Sequence, residues 1–175
     1  ITFAHQLGAG RFGVVATLRG QANQVDAQAI ADQLAVLLPG YLWTVEAKAW
    51  SGGGLLLGGY GTFPLSEKLS FDVKAMLGFE SVSSPEITTT ANYMGMESWS
   101  KQSSSSASAL AYLFGADLKY KLGNKLYLIT NVDYIGTKAD FKDVEALYSD
   151  GTRDTTDFSQ PVGTVNITLG LAYRF

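Results

Sequence analysis

Charged residues recur at alternate positions in several stretches of this chain, and they are the first candidates for chemistry. Asp72, Lys74 and Glu80 share one side of the run 69–80; Asp117, Lys119 and Lys121 share one side of 110–122. Asp133 belongs to one side of 125–141, Arg19 to one side of 11–20, and Arg174 to one side of 164–175. Both signs are mixed, and an enclosed charge without a partner is costly, so the first reading is a lattice of ion pairs lining an interior. The sharper alternative is a narrow polar path or a ligand pocket between the same groups.

Catalysis asks for more than charge, because a base must be held beside a nucleophile or an acid. The chain has a single histidine, His5, close to its start, and the serine run 103–106 falls in a polar stretch with no matching base. No catalytic residue is assigned, and His5 reads as an interior or rim residue making an ordinary hydrogen bond. Asp143, Glu145, Asp150, Asp154 and Asp157 lack the alternate-oxygen spacing of a dedicated calcium loop and read as a solvated loop. Cysteine is absent, which removes thiolate metal ligands and disulfides. The glycine clusters 52–54 and 58–59 precede neither a Lys-Ser/Thr pair nor a helix, so they suit strand bulges or close packing, not phosphate binding. No cofactor and no metal is expected. A net charge of −3 and a pI near 5.1 argue against a nucleic-acid partner.

The elements that must hold these charges read most clearly near residue 175. Val165, Ile167, Leu169, Leu171, Tyr173 and Phe175 alternate with Thr164, Asn166, Thr168, Gly170, Ala172 and Arg174, which is a strand with two unlike faces. The same period places Leu69, Phe71, Val73, Ala75, Leu77 and Phe79 opposite the Asp72 set, and Tyr112, Phe114, Ala116, Leu118 and Tyr120 opposite the Asp117 set. It places Leu126, Leu128, Val132 and Tyr134 opposite Tyr127, Asn131 and Asp133. In the first strands Phe12, Val14, Ala16 and Leu18 oppose Gly13, Val15, Thr17 and Arg19. A bilayer is crossed by strands of about 9 to 11 tilted residues, and in lipid the backbone is satisfied only if the sheet closes on itself. A lipid-facing apolar stripe ending in aromatics is the expectation for each strand. No apolar run is long enough for a transmembrane helix.

The ending Leu169, Leu171, Tyr173, Phe175 resembles small bacterial outer-membrane barrels, in which the last strand is the signal read by the barrel-assembly machinery. The stretches GGYGTFPLSEKLSFDVKAMLGF, NVDYIGTKADFKDV and QPVGTVNITLGLAYRF are similar to outer-membrane barrel-domain proteins of Bacteroidota, over roughly residues 50 to 175. The resemblance implies a bacterial outer-membrane location, with lipid, the assembly machinery during insertion and other outer-membrane proteins as partners. It is nearly silent about activity. An export signal is expected ahead of Ile1.

In chain order the expectation is all-β, a single transmembrane antiparallel up-and-down barrel over 1–175. One interruption breaks the two-residue period: 25–38 reads as a short helix in an extracellular loop, capped by Asp26 and stopped by Pro39-Gly40. Residues 41–50 read as a separate strand or as the upper half of the next one. The polar stretches 84–105 and 142–160 read as long loops, the first of them mobile. Short joins at 8–10, 64–68 and 123–124 alternate with long ones, which puts the short turns and Phe175 at the periplasmic rim. Seven strands are legible at 1–7, 11–20, 55–63, 69–80, 110–122, 125–141 and 164–175, and single-chain bacterial barrels have even numbers, so about eight are expected, with one preceding Ile1, the favoured reading, or an extra one hidden around 41–50. The function expected is a non-catalytic structural or accessory subunit of a larger outer-membrane complex. A barrel that transports or binds a small molecule is the second expectation, and a lipid-modifying enzyme the third.

Overall fold

A computed structural model describes residues 1–8 and 11–174. Phe175 and the Ala9-Gly10 part of the first turn, both assigned roles above, lie outside the described residues. The elements are β1 (Thr2–Gln6), β2 (Phe12–Asn23), α1 (Ala27–Leu37), β3 (Leu42–Ala47), β4 (Trp50–Pro64) and β5 (Leu69–Ser83). They continue with β6 (Ile87–Tyr93), β7 (Met96–Gln102), β8 (Ser106–Lys121), β9 (Leu126–Tyr148) and β10 (Arg153–Tyr173). Every strand pairing is antiparallel, in the order β1-β2-β4-β5-β8-β9-β10. A short ribbon of β7, β6 and β3 is attached to the far end of β9.

Register carries the alternation from strand to strand. Val165 stands opposite Tyr134, Tyr134 opposite Phe114, and Phe114 opposite Ala75, so one face collects the apolar members of each strand. That face is exposed. The other face holds Leu56, Leu113, Asp72 and Phe141, all essentially buried. One sheet without a second layer can bury a face only by curling around it. Contacts between strands that are not paired show the curl: Thr17 of β2 reaches the Met76 sulfur of β5 at 3.9 Å, and Gln21 of β2 donates to Thr164 of β10 at 3.2 Å.

Two expectations are corrected here. Among the described residues the sheet has ten strands where about eight were expected, and it is not closed, since β1 and β10 carry outer edges with no strand paired to them. The reason lies in strand direction: successive antiparallel pairings from β1 through β10 leave these two edges running the same way, so they cannot continue the antiparallel ladder with each other. Two of the additional strands, β6 and β7, come from a stretch read as a loop, and β3 from the stretch 41–50 read as a strand of its own or part of the next. Residues 84–105 form the β6–β7 hairpin, turning at Met94 (φ 51°) and Gly95 (φ 83°). A ribbon whose faces mix polar and apolar side chains has no clean alternation to betray it, although Thr88, Thr89 and Thr90 favour strand. Much of 142–160 extends β9 and β10, with the turn confined to 149–152 and a register shift between Thr156 and Phe158. Residues 41–50 divide between β3 and the start of β4.

Residues 25–38 do form a helix. The Asp26 side chain accepts from the Ala29 backbone N–H at 3.0 Å, satisfying a donor that the first turn leaves free. The short turns are stapled as well, with Ser66 Oγ accepting from the N–H groups of Lys68 and Leu69.

Glu86, at the joint of β5 and β6, is bonded by Lys101 of β7 at 3.1 Å and by Lys48, beside β3, at 3.2 Å. Hydrogen bonds from Lys101 and then Lys48 hold its carboxyl below the ordinary value of 4.5. A lowered folded-state pKa gives a contribution that is present above the unfolded value and is lost as pH falls through the folded one. Amide resonances of Ile87, next to Glu86 in the chain, and of Lys101, its ion-pair partner, are therefore expected to titrate below pH 4.5, and Glu86→Gln should abolish that titration. Titration that persists in Glu86→Gln would mean another group anchors the ribbon.

Candidate functional site

The inner face brings charges from β2, β5, β8 and β9 together at two levels. At the level nearer the short turns, Lys74 Nζ lies 3.1 Å from Asp117 Oδ1 and 3.0 Å from Asp133 Oδ1. Asn131 Nδ2 donates to both carboxylates, and Lys119 pairs with Asp72. The register explains the arrangement. Asp72 stands directly opposite Asp117, a like-charge pairing that destabilises a sheet unless cations intervene, and Lys74 and Lys119 occupy the flanking positions on the same face. Lys119 also lies over the Tyr60 ring of β4, 5.5 Å from its centroid.

Gly115 makes room for this cluster. A Cβ there would collide with the Asp133 carboxylate and come within 2.6 Å of Lys74 Cε. Its value is space for two side chains, in a strand otherwise well suited to larger residues.

At the second level Arg19 Nη1 bonds Glu80 Oε1 at 2.6 Å, with both side chains nearly buried. Arg19 also bonds Gln21, whose amide reaches across to Thr164. Between the two levels lies an apolar layer of Val15, Leu56, Met76, Leu113 and Ile135. Beyond the second level Phe141 packs against Phe158 at 5.0 Å and Trp50 at 5.9 Å between ring centroids. The interior is thus stacked with side chains. A cavity of about 240 Å³ lies beside Gln21, Glu80 and Thr164, where β10 comes close to β2.

Of the nine residues assigned to an interior charge network, Arg19, Asp72, Lys74, Glu80, Asp117, Lys119 and Asp133 are brought together in these pairs. Lys121 and Arg174 are not: each is tied by its backbone near the short turns, and no ion pair to either occurs among the described residues. The paired set contains Arg19, Lys74 and Lys119 against Asp72, Glu80, Asp117 and Asp133, one carboxylate in excess. Asp72 Oδ1, buried, has no hydrogen-bond partner among the described residues. A buried charge held in this way depends heavily on its cation.

Of the strand assigned as an assembly signal, Leu169, Leu171 and Tyr173 are on the exposed face of β10. His5 sits on β1, exposed and opposite Val14. The acidic stretch is engaged locally: Asp157 accepts from Lys142 Nζ at 2.7 Å and from the Asp143 N–H at 2.9 Å, and Asp150 accepts from Thr152. Among the described residues no group of His, Cys, Asp and Glu has the arrangement of a metal site. Tyr60 and the Gln21–Thr164 bridge escaped sequence reasoning. Inward alternation marks Thr164 as polar, but only the curl of the sheet brings it to β2. Compared with known proteins, the chain matches no protein-family model and no curated protein.

Proposed function

We propose that this chain is an integral outer-membrane β-barrel with a non-catalytic, structural or accessory role, the reading in keeping with its resemblance to small bacterial outer-membrane barrels. One observation carries it. The exposed face of β2, β4, β5, β8, β9 and β10 is a continuous apolar band that includes Leu18, Leu57, Leu77, Phe114, Val132 and Ile167, while the charges are inside. Water-soluble monomers rarely expose contiguous apolar patches beyond a few hundred Å². In lipid the same distribution is favourable. Because β1 and β10 run the same way, an all-antiparallel closure takes one further strand between them.

The stacked interior favours a scaffold over a channel. Leu56, Leu113 and Met76 fill the section between the two charge levels, as in the narrowest barrels, whose interiors are taken up by their own side chains. The working surfaces are then the lipid-facing wall and the far end built by α1, β3, β6 and β7, and the partners are outer-membrane proteins that dock on them.

The test is fractionation followed by detergent purification of the protein from its native membrane. The reading expects a carbonate-resistant membrane protein with heat-modifiable mobility, a stoichiometric co-purifying partner, and no conductance steps in planar bilayers. A monomer soluble without detergent would overturn the membrane reading. Steady unitary conductance would overturn the scaffold reading.

A further inference from the structure

We propose that the ribbon at the far end of the sheet carries a binding site for a neutral saccharide. The site is a cleft of about 470 Å³ on one face of β3, β6 and β7, bounded at one side by Trp43 and at the other by Tyr148 and the 149–152 turn. Its volume falls within the range of small-molecule sites, about 300 to 1,000 Å³.

The register assembles its floor. Trp43 pairs with Ala91 and Ala91 with Ser98, while two residues along Thr89 pairs with Ser100 and Ser100 with Tyr148, so all of these share one face. The floor is small and rich in hydroxyls, and the aromatic rings stand at its ends. Among the described residues the side chains of Thr89, Ser98 and Ser100 make no hydrogen bond within the protein. The Trp43 indole N–H is likewise out of contact with water and has no acceptor. The three hydroxyls are thus open to a ligand's own donors and acceptors, and the indole offers its ring.

The lining also selects the ligand's charge. Lys, Arg and His are absent from it, and its one ionisable acid, Asp150, is held ionised below the ordinary carboxylate value by hydrogen bonds from the Thr152 hydroxyl and N–H. An anion is therefore disfavoured. A methylated ammonium would suit the rings and Asp150, but it offers nothing to the free hydroxyls. A pyranose offers an apolar C–H face for an indole and hydroxyls for Thr89, Ser98, Ser100 and Asp150 at once.

The experiment is a titration of the detergent-solubilised protein with cellobiose, maltose, lactose and N,N′-diacetylchitobiose, with tetramethylammonium and glucuronate as charged comparators, followed by tryptophan fluorescence and calorimetry. At least one neutral disaccharide is expected to bind. Trp43→Ala should weaken it about tenfold or more, the loss of one aromatic contact of about 1.4 kcal/mol. Ser100→Phe, a good strand former that fills the floor, should abolish binding while the protein keeps the circular-dichroism spectrum and unfolding midpoint of its parent. The proposal is overturned if no neutral disaccharide binds up to about 50 mM, a concentration that would detect even affinities weaker than −4 kcal/mol. It is equally overturned if only tetramethylammonium or glucuronate binds, or if Ser100→Phe binds sugar as its parent does. The cleft is read without reference to lipid, so a failure to bind sugar leaves the membrane reading, tested by fractionation, untouched.

Discussion

Replacing Ile167 with Arg is expected to destabilise the protein in a bilayer by about 2 to 4 kcal/mol, the cost of a cation near the midplane on a lipid-facing strand. Ile167 is 74% exposed and lies within the apolar run of β10 between Val165 and Tyr173. Its neighbour directly across the ladder is Val132, itself exposed on the same face, so the arginine meets no counter-charge there. The comparison is Thr155→Arg, on the same strand but beyond the apolar band, where the change should be within about 0.5 kcal/mol. Urea unfolding of both variants in lipid vesicles, with the yield of heat-modifiable protein, reads the difference. The two readings of the exposed face predict opposite results. A residue facing water loses nothing when isoleucine becomes arginine, so equal stability of the two variants would show that this face does not meet lipid.

The second large effect is expected inside. Lys74→Met keeps an unbranched apolar stem in place of the lysine's and removes the only cation within ion-pair distance of Asp117 and Asp133 among the described residues. Both carboxylates are about 15% exposed, and Asn131 alone would remain to bond them. Removing one partner of a buried pair typically costs about 3 to 5 kcal/mol, because an uncompensated charge remains. The triple variant Lys74→Met, Asp117→Asn, Asp133→Asn should recover most of that loss, since amides need no counter-charge and still hydrogen-bond. Denaturant midpoints of the two variants measure it. If Lys74→Met alone is tolerated within about 1 kcal/mol, water reaches the lower interior and the ion pairs are worth no more than surface ones. If the triple variant is no more stable than the single one, the loss came from packing around the lysine stem.

The strand alternation was legible because it is local: residues two apart share a face whatever the sheet does next. That is why the apolar face of β10 and the inward positions of Asp72, Lys74, Asp117 and Lys119 could be read from the chain, and why Asp26 announced the helix behind it. Ribbons such as β6–β7 are invisible to that reading, because their partners are supplied by β3 and β9 and neither face is made uniformly apolar. The upper parts of β9 and β10 are hidden in the same way, since Lys142, Asp157 and their neighbours look like loop until they pair.

By itself the amino-acid order determined which side chains share a face, because that depends on backbone geometry alone. The tertiary structure decided which charges meet, that Lys74 serves two carboxylates while Lys121 and Arg174 pair with none among the described residues, and that β1 and β10 end as parallel edges. Those outcomes depend on strand register and curl, which bring together groups far apart in the chain, such as Gln21 and Thr164. No local pattern encodes such a distance, because it is set by the sum of every pairing between the two strands.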